Sequence, residues 1–167
     1  ALETVAGASM ASQRSFTSMK SVGMNVASDA MYSIGYTGLN AGCVALIADD
    51  PHAHSSQSEQ DGRYFGETAY VPMLEPATAQ EALDMTKWAF EISEKHKTLV
   101  IMRTTTRVNH QRGMVKLGEL SRTPFRKNKW QDMKGQYFTV GSVARALKAK
   151  MLLRTAAIQK DFEKSKF

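Results

Sequence analysis

Cysteine is almost absent from the chain: among 167 residues there is one, Cys43. A single thiol excludes an internal disulfide and suits a reducing compartment. It also excludes an iron–sulfur cluster held by this chain alone, because such clusters take several thiolates. No apolar run approaches the roughly 20 residues that span a bilayer. No basic segment leads into an apolar one in the manner of a secretory signal, so the cytoplasm is the expected compartment and no membrane partner is expected. Neither a Walker A pattern nor a Gly-x-Gly-x-x-Gly is present, so a phosphorylated ligand would be held here by its other end. A Gly-x-Ser-x-Gly nucleophile elbow is missing as well.

What is present is an ordinary soluble composition, 43% hydrophobic and 23% charged, in a length that suits one domain with a real core. The net charge of +6 is unevenly spread. Residues 1–113 carry 9 Lys/Arg against 12 Asp/Glu, whereas residues 114–167 carry 13 against 4. This predicts a globular body followed by a basic appendage that meets an acidic partner, RNA or water. The opening residues, Ala1 to Met10, have no capping residue and read as the middle of a helix, crowded with small side chains. The expectation is a piece of a longer protein whose first strand and helix start lie upstream.

Further on, Ser15–Met19 has the character of a strand, and Lys20–Asn25 that of a turn with Gly23 and Asn25. Val26, Ala30, Met31 and Ile34 then mark one face of a helix over 26–36. Cys43–Ala48 is a buried-type strand, Glu59–Thr68 a short helix and Tyr70–Leu74 a short strand. The clearest helix covers 78–96: Thr78-x-x-Glu81 fits a capping box, and Ala82, Met85, Ala89 and Ile92 form an apolar stripe. Trp88 and Phe90 widen that stripe and suit core packing better than a ligand platform. Leu99–Met102 is another buried-type strand. Weak strand signals at Met114–Leu117 and Tyr137–Val140 precede a terminal helix over 142–165, with Val143, Leu147, Met151 and Ala157 apolar. Strands alternating with helices predict an α/β fold: three layers, α/β/α, around a mostly parallel sheet, with a basic helical C-terminal extension.

The segment from Val44 to Asp61 carries most of the chemistry. An apolar strand ends in Ala48-Asp49-Asp50-Pro51 and releases His52, His54, Ser55, Ser56, Gln57, Glu59, Gln60 and Asp61 into one loop. In open α/β folds ligands bind outside the carboxyl ends of the strands, so this loop reads as the wall of a binding site; a solvated loop is the competing reading. Ser55 and Ser56 adjoin His54, but neighbours in sequence rarely meet in triad geometry. Cys43 begins a buried strand and suits a structural thiol. His52 and His54, with Asp49 and Asp50, offer a His-x-His pair where a metal needs three or four convergent ligands, so no metal site is predicted. Asp49 and Asp50 fit caps of the strand end and the loop better than catalysis. At Lys20–Asn25, a glycine would let a flat ligand approach the backbone, and the next helix start offers free N–H donors; an ordinary β–α turn fits equally.

Several ordered motifs together resemble one family. They are Lys20-Ser21-Val22-Gly23-Met24-Asn25-Val26-Ala27, Ala48-Asp49-Asp50-Pro51, and His54-Ser55-Ser56-Gln57-x-Glu59-Gln60-Asp61-x-Arg63-Tyr64. Met73-Leu74-Glu75-Pro76, Glu81-Ala82-x-Asp84-Met85 and Arg103-Thr104-Thr105-Thr106-Arg107-Val108-x-His110-x-Arg112-Gly113 follow. The chain thereby resembles the α subunits of the indolepyruvate:ferredoxin oxidoreductases, closely from residue 1 to about 118 and loosely beyond. The resemblance implies a thiamine diphosphate enzyme of the 2-oxoacid:ferredoxin oxidoreductase superfamily, which decarboxylates aryl pyruvates oxidatively to aryl-acetyl-CoA. It implies a thiamine diphosphate-binding fold of the pyrimidine-binding (PYR) type over 1–113, truncated at its start, and a basic linker with a C-terminal helix over 114–167. CoA is then co-substrate. Mg²⁺ and [4Fe-4S] clusters belong to the intact enzyme, with the diphosphate, Mg²⁺ and cluster ligands outside this chain. The implied partners are the remainder of the α subunit, the β subunit and ferredoxin.

The resemblance also assigns site residues. The glutamate that activates the pyrimidine lies in Asn-Glu-Lys-x-Ala, five residues before the position of Glu3, which puts it just upstream of Ala1; no catalytic residue is expected in this chain, which would be inactive alone. Lys20, Gly23 and Asn25 match the cofactor-side turn. His54, Ser55, Gln57, Gln60 and Asp61 match a loop expected to contact substrate or another subunit. Arg107 and His110 follow the last strand and border the same cleft or an interface. The alternative is a non-catalytic α/β binding module whose basic tail (Arg122 to Lys129, Lys148 to Lys166) contacts nucleic acid or an acidic protein. Charge alone supports that tail role, and nucleic acid is not the expected partner.

Overall fold

A computed structural model describes residues 1–119 and 135–167. In chain order the elements are α1 (Leu2–Met10), β1 (Ser15–Lys20), α2 (Ser21–Thr37), β2 (Cys43–Asp49), α3 (Tyr64–Ala69), β3 (Met73–Leu74), α4 (Ala79–His96), β4 (Leu99–Thr105), α5 (Thr106–His110) and α6 (Gly141–Phe162). The four described strands form one sheet in the order β1-β2-β4-β3, every pair parallel. The central strands β2 and β4 are covered on both faces, which is why both are unbroken apolar runs. Along β2, Cys43, Ala45 and Ile47 face α1 and α2, whereas Val44 and Leu46 face α4. Leu99 and Ile101 of β4 join the first of these clusters, Val100 and Met102 the second. The result is the three-layer α/β/α arrangement with an all-parallel sheet.

The largest departure from expectation is at α2. The helix begins at Ser21, directly after β1, with Lys20 extended at its N-cap, so Gly23 and Asn25 lie in its opening turns and not in a loop. Its buried positions are Ser21, Met24, Met31, Ile34 and Gly35, so Met31 and Ile34 of the expected stripe stand and the earlier start adds Ser21 and Met24. Val26, expected on the apolar face, is instead 88% exposed. Gly23 permits the tight strand-to-helix junction, because a Cβ there would lie 3.1 Å from Met19 Cβ.

Between β2 and β4 the boundaries shift while the elements stand. The helix expected over 59–68 is α3, Tyr64–Ala69, and β3 keeps only Met73–Leu74 of the strand expected over 70–74. The α4 start follows the capping prediction: Thr78 Oγ1 accepts from Glu81 N at 3.1 Å, while the Glu81 carboxylate reaches back to Ala77 N at 2.7 Å. The helix α5 was not foreseen, and Met114–Leu117 and Tyr137–Val140 form no strand. The terminal helix α6 buries Leu147, Met151 and Ile158, with Ala157 exposed in place of its neighbour. It packs on α2 of one layer and α4 of the other, passing Val71 and Pro72 just before β3. Part of its basic charge is engaged by the body: Lys148 Nζ lies 3.6 Å from the Tyr70 ring centroid, and Arg154 donates to the Gly35 carbonyl. The basic stretch Arg122 to Lys129 lies outside the described residues. Among the described residues, no helix is long and apolar enough to cross a membrane.

Register sets what this frame presents. Lys20 pairs with Ala48 and Ala48 with Thr104, while Leu74 pairs with Met102. The carboxyl ends of all four strands therefore lie at one end of the sheet. From that end leave the α2 start, the loop after Asp49, Glu75 and the Arg103–His110 segment.

Candidate functional site

Two consecutive carboxylates organise this end of the sheet. Asp49, 2% exposed, closes the far end of the loop: its Oδ2 accepts from Gly62 N at 2.9 Å and from Arg103 Nε at 2.8 Å. Arg103, itself 5% exposed, donates through Nη1 to Glu75 beyond β3. Gly62 has to be glycine here, since a Cβ would lie 2.9 Å from Asp49 Oδ2. Three strand ends are thus tied by one buried guanidinium, with charge-assisted bonds stronger than neutral ones.

Asp50 secures the near end. Its Oδ1 accepts from His54 N at 3.2 Å and Thr106 Oγ1 at 2.7 Å, and its Oδ2 from Ser55 N at 2.9 Å and Ser56 Oγ at 2.7 Å. Hydrogen bonds to the charged form favour it: the Ser55 amide foremost, then the Thr106 and Ser56 hydroxyls, hold the Asp50 carboxyl well below the usual carboxylate range against the opposing effect of burial. Between the clamps, the chain turns through His52 (φ 64°) and Ala53 (φ 48°), both left-handed.

The α2 start stands beside this loop. Asn25 Nδ2 donates to Gln60 Oε1 at 2.7 Å, joining two motifs 35 residues apart. On the flank of α2, Gly23, Val26, Ala27, Asp29 and Ala30, with Met19 and the Ala1–Glu3 start of α1, line an open hollow of about 440 Å³. Its walls are small or apolar, save for Glu3 and Asp29. Gly23 leaves the backbone bare within it.

The structure brings some of the expected site residues together and separates others. Asn25 and Gln60 meet directly, and Gly23 lines the hollow on the flank of α2. Lys20 sits at the end of β1. His54 and Ser55 are anchored through backbone amides, which leaves their exposed side chains outward. The His52 and His54 rings stand 6.4 Å apart, edge to face. Gln57 is exposed. Asp61 turns away to Arg63, whose guanidinium and backbone amide lower its carboxyl to about 2. The Asp49–Arg103–Glu75 tie, Gly62 and the Thr106 bond to Asp50 went unassigned in the sequence, although two adjacent acids closing a buried strand were a visible signal for paired clamps.

The space beside Gly23 suits a flat heterocycle: its walls are mostly small or apolar, with Glu3 and Asp29 as the charged groups. A thiamine pyrimidine is such a heterocycle; of the residues expected on the cofactor side, Gly23 lines this hollow, whereas Lys20 and Asn25 are not among its walls.

Comparison with known proteins gives the same direction. The chain is 47% identical over 156 residues to the indolepyruvate oxidoreductase subunit IorA of Methanothermobacter marburgensis, covering 91% of this chain and 24% of that protein. It is 39% identical over 165 residues to the subunit of that name in Archaeoglobus fulgidus, covering 99% and 26%. With the Pyrococcus abyssi subunit it shares 54% over 120 residues, covering 72% and 18%. The chain thus spans about a quarter or less of the relatives it matches. Residues 1–160 match the family described as "Pyruvate flavodoxin/ferredoxin oxidoreductase, thiamine diP-bdg", and the chain belongs to that family.

Proposed function

We propose that this chain forms the pyrimidine-side wall of the thiamine diphosphate cleft in an enzyme that converts aryl pyruvates, indolepyruvate among them, to aryl-acetyl-CoA with ferredoxin as electron acceptor. One observation carries the reading: the hollow beside Gly23 and the doubly clamped loop both adjoin the start of α2, to which the loop is joined by the Asn25–Gln60 bond. In this reading residues 1–113 are the PYR-type domain, and residues 114–167 link it to the rest of the subunit through α6.

Thiamine diphosphate, when bound, would supply a nucleophilic carbon and an electron sink for decarboxylation of the 2-oxo acid. The chain's own residues bind and orient. Gly23 gives access to the backbone, Asn25 ties the start of α2 to the loop at Gln60 and Lys20 places a positive charge at the end of β1. His54, Ser55, Gln57, Gln60 and Asp61 border the approach to substrate or to a neighbouring subunit. None of them is assigned proton transfer; that role falls to a glutamate expected upstream of Ala1. The diphosphate, Mg²⁺ and [4Fe-4S] ligands, like the sites for CoA, the β subunit and ferredoxin, fall to the remainder of the enzyme, so this chain alone is inactive.

The test is an assay of the full-length α subunit with its β subunit. Indolepyruvate, CoA and thiamine diphosphate together should reduce ferredoxin or a viologen dye, and omission of any one should stop it. Gly23→Val should raise the thiamine diphosphate concentration needed for half-maximal activity by about tenfold or more, a loss of over 1 kcal/mol of binding. Turnover independent of thiamine diphosphate would overturn the proposal, and so would a Gly23→Val enzyme with an unchanged requirement.

A further inference from the structure

We propose that Asp50 is a positioning residue for this site, holding the His54–Gln57 segment in its working geometry and coupling it to the start of α5 through Thr106. The inference rests on the proposed function in that it takes this loop to border the reacting centre. An ionised carboxylate offers about four acceptor sites, and all four are filled from within the fold: His54 N, Ser55 N, Ser56 Oγ and Thr106 Oγ1. With its residue only 6% exposed, Asp50 has no capacity left for a ligand. Its action is therefore on the loop.

That loop needs such a support. His52 and Ala53 are successive non-glycine residues with positive φ, a conformation that persists only where the surroundings over-determine it. Pro51 restricts the entry, and Ala53 N returns to the Asp50 carbonyl at 3.0 Å. The Asp50 carboxylate then fixes the next three residues, so that His54 and Ser55 expose their side chains while their amides point inward. Asp49 closes the other end at Gly62, and Gln60 is tied to Asn25. Three of the donors to Asp50 come from the loop itself. The fourth, Thr106, is the first residue of α5, which also carries Arg107 and His110. A change at either element is thus transmitted to the other through one carboxylate.

The experiment uses the full-length subunit in its complex, with Asp50→Asn, Thr106→Val and Thr106→Ser. Asn keeps one acceptor oxygen and cannot serve all four donors. Hydrogen exchange of the peptide over residues 52–57 should accelerate by about tenfold in Asp50→Asn, with the α4 peptide over 79–96 unchanged. In the same variant kcat should fall by about 10–100-fold through misplacement, while the thiamine diphosphate requirement stays within about threefold, under 1 kcal/mol. Thr106→Val should show the same pattern more weakly, and Thr106→Ser should restore it by keeping the hydroxyl. Unchanged exchange in Asp50→Asn would overturn the inference, as would faster exchange with unaltered kcat, or a Thr106→Ser variant equal to Thr106→Val. If α4 also loses protection in Asp50→Asn, Thr106→Val decides, since it leaves three donors in place. Exchange is read without substrate, so a wild-type complex inert towards aryl pyruvates would refute the proposed function and leave the loop result standing.

Discussion

Asn25 and Gln60 share a 2.7 Å hydrogen bond that fastens the opening turns of α2 to the end of the clamped loop. The bond lies open to solvent. Alanine at either position should cost the fold only about 0.5–1 kcal/mol, the net worth of a solvent-accessible hydrogen bond. The two changes should not add: a double-mutant cycle by chemical denaturation is expected to give a coupling of at least about 0.5 kcal/mol. Strict additivity would mean that the bond does not form in solution.

Two glycines should respond in opposite directions to the same substitution. Gly62→Ala places a Cβ 2.9 Å from Asp49 Oδ2, displacing a buried carboxylate from Arg103 at a cost of about 2–4 kcal/mol. Gly7, inside α1, has nothing within 4 Å of its would-be Cβ, so Gly7→Ala should stabilise by about 0.5–1 kcal/mol through helix propensity alone. Urea denaturation of both variants checks the pair. A tolerated Gly62→Ala would show that Asp49 does not hold the loop's far end.

The guanidinium of Arg103 faces two carboxylates of different burial. Its partner Asp49 is nearly inaccessible, whereas the Glu75 side chain is 42% exposed. Arg103→Met would leave Asp49 charged and unpaired in the interior, with an expected loss of about 3–5 kcal/mol. Glu75→Gln should cost no more than about 1 kcal/mol, as for an ion pair open to solvent. Equal effects in equilibrium unfolding would mean that burial does not rank the two bonds.

The central strands were legible because burial on both faces leaves an unbroken apolar run: Val44–Ile47 and Leu99–Met102 need no context to be read. So was α4, where cap, stripe and length agree. The α2 start was misread because Gly23 and Asn25 are turn formers by propensity. Close packing against Met19 overrides propensity there, and no local pattern signals a contact of that kind. The loop was visible as a polar stretch after a buried strand, and the family motifs suggested which of its residues to consider. Its organisation was not, because Asp49 reaches Gly62 and Arg103, and Asp50 reaches Thr106, over 13 to 56 residues. Only the folded sheet, with its strand ends in register, puts those groups within bonding distance.

The attachment of α6 to the body should weaken in acid. Asp161 Oδ2 lies 2.6 Å from both Lys95 Nζ and His96 Nε2 at the end of α4. Hydrogen bonds from Lys95 and then His96 hold the Asp161 carboxyl below its ordinary value. A folded-state value below the unfolded one stabilises the docked helix at pH above the ordinary carboxylate range, near about 4. That contribution is lost as the pH falls through the lowered value. Next to Asp161, Phe162 packs on Trp88 with ring centroids 5.1 Å apart, and Phe167 lies 5.4 Å from the same indole. Trp88 fluorescence therefore reports the docked end of α6, and Trp130→Phe removes the second indole. With that background, emission should shift to the red on acidification below about pH 4, ahead of global unfolding followed by circular dichroism. Asp161→Asn should show the shifted emission at neutral pH and lose the acid step. A wild-type emission in Asp161→Asn, or an acid step that survives the substitution, would assign the docking to the aromatic stack alone.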